Sequence, residues 1–127
     1  MKFILGLVLV ALSFAGCATT SSNMRVGSDM SHIDIEGQRA AAKGVQVIQA
    51  DATSDMQLIG TIDASRCHRM ATETAPTDAQ VLSDLKIAAY AKGADAIVTP
   101  IITKESGLSS NCWFILTGKA DAYSKVN

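Results

Sequence analysis

Aromatic side chains are scarce in this chain, with one Trp, two Tyr and three Phe in 127 residues. A core therefore has to be packed from Ile, Val, Leu and Ala. Histidine is scarcer still, at His32 and His68. No serine elbow, no His-Glu pair at helical spacing, no Gly-rich phosphate loop and no zinc spacing occurs, so the inventory a catalyst needs is missing and no enzyme is expected. Basic runs interleaved with aromatics are also absent, and nothing points to nucleic acid. Only two prolines occur, and none lies between residues 18 and 44. No apolar run is long enough to span a bilayer comfortably, including the one at the N-terminus.

What is present begins with that N-terminal run. Lys2 supplies a basic start, Phe3 to Phe14 an apolar stretch, and Ala15-Gly16-Cys17 a small-residue end, the pattern of an export signal. The ending Phe14-Ala15-Gly16-Cys17 resembles a bacterial lipobox, although Phe14 stands where Leu is usual. The resemblance implies a signal peptide over residues 1–16 and a Cys17 that carries acyl chains such as palmitate. One chain binds a membrane marginally and two anchor it stably, at about 0.8 kcal/mol per buried methylene. Ala18 stands where an Asp would signal inner-membrane retention, so the expected location is the outer membrane, with the domain facing the periplasm or the cell surface. An ordinary signal peptide is the alternative.

Without residues 1–16 the chain has 111 residues, enough for one small domain and a tether. Once Lys2 goes with the leader, ten basic side chains stand against twelve acidic ones. With Cys17 taken by lipid, Cys67 and Cys112 form an even pair in an exported domain, and a disulfide is expected. It would close a loop worth roughly 4 kcal/mol in the chain-entropy account.

Residues 17–43 read as the lipidated N-terminus and a flexible tether. They are rich in Ser, Thr, Asn, Gly and Ala, with a short ordered stretch near His32–Glu36 docking on the domain. As a flexible coil, such a segment reaches about 25–30 Å. The domain spans residues 44–127. Val45–Ala50 and Met56–Ala64 alternate as strands, on either side of a turn-rich Asp51–Asp55, and Ser65–Pro76 reads as a loop. Thr77 and Gln80 form a capping box, Val81, Leu82, Leu85, Ala88 and Ala89 share a helical face, and Gly93 ends the helix. Gln80, Ser83, Asp84 and Lys86 form its polar face. Asp95–Lys104 reads as a strand with Pro100 at an edge or bulge, and Asn111–Tyr123 as a long final strand. The sum is an α+β fold of order β-β-α-β-β: an antiparallel sheet with one helix packed on it.

One cluster could suit a soft metal, because Cys67-His68-Arg69-Met70 offers thiolate, imidazole and thioether. Adjacent residues seldom converge on one ion, and Cys67 has an oxidised partner in view, so no metal and no cofactor is expected. Trp113, directly after Cys112, is expected to pack against the bridge, with a partner-facing role as the alternative.

Several of these features together resemble the RcsF-like outer-membrane lipoproteins, the envelope stress sensors of the Rcs phosphorelay. They are the lipobox cysteine and tether, Val45-Gln46-Val47-Ile48, Leu58-Ile59-Gly60-Thr61-Ile62, Cys67 soon after, Ala91-Lys92-Gly93-Ala94-Asp95-Ala96-Ile97-Val98, and Cys112 opening the last strand. More distantly, the helix-to-strand junction is similar to YbjQ-type putative metal-binding domains. The first resemblance implies a Cys67–Cys112 disulfide and a non-enzymatic signal-transduction role in the stress response. It also implies envelope partners, either an inner-membrane Rcs-type protein or outer-membrane barrel assembly proteins, for a monomeric domain. The second implies a metal- or small-ligand-binding lipoprotein that assembles into rings. This chain lacks the second disulfide of the RcsF family and the proline-rich tether that threads barrels.

Overall fold

A computed structural model describes residues 24–26 and 33–126. In chain order the elements are β1 (Met24–Val26), α1 (Ile35–Gly44), β2 (Gln46–Ile48), β3 (Met56–His68), α2 (Asp78–Ala91), β4 (Ala96–Ser106) and β5 (Phe114–Lys125). Short 3-10 turns at Ala50–Thr53 and Leu108–Ser110 join β2 to β3 and β4 to β5. The fold is α+β, and from β2 onward the order is the expected strand-strand-helix-strand-strand.

The five strands form one sheet in the order β1-β3-β5-β4-β2. Its centre is antiparallel. Long β3 pairs with β5 from Met56↔Lys125 to His68↔Phe114, and β5 pairs with β4 from Ala96↔Tyr123 to Ser106↔Phe114. The expectation of a wholly antiparallel sheet is corrected at one edge, where β2 runs parallel to β4 in the register Gln46↔Ala96 to Ile48↔Val98. Strand β2 follows directly on α1, which packs beside α2, and Gln46 N donating to Asp95 O at 3.0 Å sets it against the start of β4. The bulge expected at Pro100 is present, with a register shift between Val98 and Ile101, and Thr99 takes a φ of 40° there.

One face of the sheet carries the helices. Ile62, Ala64, Ala120 and Ala122 lie on it and join Leu85, Ile87, Ala89 and Ile97 in the core. Helix α2 comes closest at Gly118, where an added Cβ would lie 2.6 Å from Val81 Cγ1 and 2.9 Å from Leu85 Cδ1. The local signals of α2 act as expected. Thr77 Oγ1 accepts from Gln80 N at 3.3 Å and Gln80 Oε1 accepts from Thr77 N at 3.0 Å. At the other end Gly93, with φ of 76°, supports a Schellman ending in which Ala94 N donates to Ala89 O at 2.9 Å.

Two spans differ from the sequence reading. The last part of the presumed tether is helix α1, started by Asp34, whose Oδ1 accepts from Gly37 N at 2.7 Å. It lies beside α2, with Ala41 fully buried and Ile33 packed against the core. Small side chains hid it: a helix that buries one alanine shows no apolar period. Residues 65–68, read as loop, continue β3, because β1 and β5 both hydrogen-bond to this stretch. Cys17 and His32 lie outside the described residues.

Candidate functional site

The end of the sheet where β3 stops and β5 starts is built around the Cys67–Cys112 disulfide, whose Cα atoms are 5.7 Å apart. Cys67 stands opposite Ile115, on the face away from α2, yet both cysteines are buried. The segment between β4 and β5 folds over them and covers the bridge. Its crossing point is Gly107, where an added Cβ would meet Cys112 Cβ at 2.5 Å and Cys112 O at 2.9 Å. Ser110 N and Cys112 N both donate to Gly107 O at 2.9 Å, and Asn111 adopts a φ of 56° to close the turn. Trp113 N then donates to His68 O at 2.7 Å and returns the chain to the β3–β5 ladder.

This stapled loop holds apolar side chains in water. Leu108 is 80% exposed and Trp113 65% exposed, and Met70 on the neighbouring connection is 47% exposed. Arg69, Leu108, Asn111, Cys112 and Trp113 line a shallow pocket of about 230 Å³. The expectation that Trp113 packs away against the bridge is thus corrected. Cys112 is held inward by its bridge and by Gly107 packed on it, and Trp113, in the bend that follows, is left facing solvent. A rigid, exposed Trp beside a leucine and an arginine has the composition of a binding surface.

The Cys-His-Arg-Met cluster is divided by the alternation of side chains along β3. Cys67 and His68 are successive strand residues on opposite faces, and Cys67 is oxidised. The His68 ring lies on the helix side, edge-on to Phe114 at 4.9 Å between centroids. Its Nε2 donates to Glu73 O at 3.3 Å, while Nδ1 is buried without a hydrogen-bond partner. Lys104 Nζ lies 4.0 Å from the Phe114 centroid. Among the described residues, no three of His, Cys, Asp and Glu gather as a metal site.

One ionic contact escaped the sequence reading. Asp84, assigned there to the polar face of the helix, is 1% exposed and holds Arg66 of β3 by two bonds. Nε donates to Oδ2 at 2.5 Å and Nη2 to Oδ1 at 3.0 Å. A planar guanidinium with both carboxylate oxygens engaged is a positional clamp, here between α2 and the disulfide end of β3. The available signal was Arg66 at an inward register position of a strand, visible only once β3 is known to continue past Ala64. No family model, no curated protein and no solved structure matches the chain.

Proposed function

We propose that the chain is a lipid-anchored interaction module of the bacterial envelope, acting by contact and not by catalysis, in the manner of the RcsF-like stress sensors. The observation that carries the reading is the stapled knob. The domain holds Trp113 and Leu108 in solvent on a loop pinned by its disulfide and by the close crossing at Gly107. Exposed apolar side chains on a rigid mount lose little freedom when they meet another surface, and the rest of the domain stays open to the envelope partners. The lipobox at Cys17 supports an anchor that keeps this surface near the outer membrane, and the export signal agrees with the oxidised cysteine pair. The envelope partners are those the resemblance implies, an inner-membrane signalling protein or barrel assembly proteins. A metal-binding role has no comparable support, because Cys67 and His68 diverge.

A deletion strain tests this. Loss of the chain should blunt the transcriptional response to outer-membrane damage, and a Cys17→Ser form, soluble or unprocessed and without acyl chains, should not restore it. A deletion strain that responds like its parent would overturn the proposal.

A further inference from the structure

The stapled knob has a defined direction relative to the anchor. Strand β1 runs antiparallel to β3, with Met24 opposite Cys67 and Val26 opposite Ser65. The N-terminal end of β1 therefore lies beside Cys67, at the end of the sheet where His68 pairs with Phe114 and the Gly107–Trp113 loop sits. Cys17 is seven residues before Met24. Seven residues span at most about 25 Å even fully extended. Strand β3 alone, at 13 residues, is about 43 Å long at 3.3 Å per residue. An anchor at Cys17 thus holds the disulfide end of the domain close to the bilayer and the Met56–Lys125 end away from it.

The surface presented there fits a lipid interface. Trp113 and Leu108 project from the loop, Met70 lies on the adjoining connection, and Arg69 lines the same pocket as Leu108 and Trp113. Tryptophan favours the headgroup level, where its ring is apolar and its N–H stays wet, and long basic side chains reach phosphate while their stems lie on apolar surface. One arginine beside two exposed apolar side chains makes apolar insertion the main contribution.

We infer that the Leu108–Trp113 knob docks on the phospholipid surface to which Cys17 is anchored, with Trp113 inserted at the headgroup–acyl boundary. This rests on the lipid-anchor reading above. Docking fixes the orientation of the domain and leaves the open sheet face, with Thr61, Asp63, Thr117 and Lys119, turned sideways for other contacts.

Trp113 is the chain's single tryptophan, so its fluorescence reports the contact directly. The processed protein, isolated from membranes and reconstituted in phosphatidylethanolamine–phosphatidylglycerol vesicles, should show a blue-shifted emission, loss of iodide quenching and strong quenching by lipids carrying a doxyl group near the headgroup. Raising the phosphatidylglycerol fraction should change these little. A Trp113→Phe/Tyr90→Trp form, with its probe at the opposite end of α2, should stay open to iodide. Vesicle-bound protein whose Trp113 remains as quenchable by iodide as in detergent-free solution of the Cys17→Ser form would overturn the inference. So would protection of Trp113 that appears only when an envelope protein is added. A Cys17 without acyl chains by mass spectrometry would instead overturn the anchor reading. Coupling Cys17 to a maleimide lipid then puts docking to the same fluorescence test.

Discussion

At the scale of single residues, the contacts that matter most are those where a polar or small side chain meets a buried neighbour. Asp84 is the clearest. Removing one member of a buried ion pair strands the other, at a cost of about 3–5 kcal/mol, whereas replacing both by apolar residues of similar volume is often neutral. Asp84→Ala should therefore lower the urea midpoint sharply, and Arg66→Met combined with Asp84→Leu should recover most of the loss. A double variant as unstable as the single one would show that the pair contributes more than the relief of its own burial. The sequence could not reveal this. Asp84 sits between Ser83 and Leu85 in a helix with polar neighbours, and only the position of Arg66 across the layer makes it an inward residue. Cys67 and Cys112, by contrast, were legible from their number and from the export expected of the N-terminal segment, and the disulfide is present.

Elements follow a similar division. Helix α2 could be read because its capping box, its apolar face and its terminal glycine agree on the same boundaries. Helix α1 could not, since alanines carry helix propensity without marking a buried side. The parallel pairing of β2 was hidden because its partner β4 lies about 50 residues further along the chain, where no local pattern reaches. The cap of α1 offers a direct check of its contribution. Asp34→Ala should cost about 1 kcal/mol through loss of the bond to Gly37 N. Hydrogen exchange should then speed up across α1 while β3 and β5 stay protected. Equal acceleration everywhere would mean that α1 belongs to the same cooperative unit as the sheet.

Across the whole molecule, the organisation is polar in direction. One end of the sheet carries the disulfide, the Gly107 crossing, the Arg66–Asp84 clamp and the N-terminal end of β1, and it also carries the exposed Trp113 and Leu108. Rigidity and exposed apolar surface coincide there. The central claim is that this stapled end acts by contact, and the most direct test is Trp113→Ala in the intact, exported chain. Its side chain is mostly in water, so the substitution should leave thermal stability, export and the Cys67–Cys112 bond on non-reducing gels unchanged. The account predicts that this variant loses most of the stress response to outer-membrane damage despite its normal fold. A response equal to that of the parent chain, from a variant present at the same level, would contradict it.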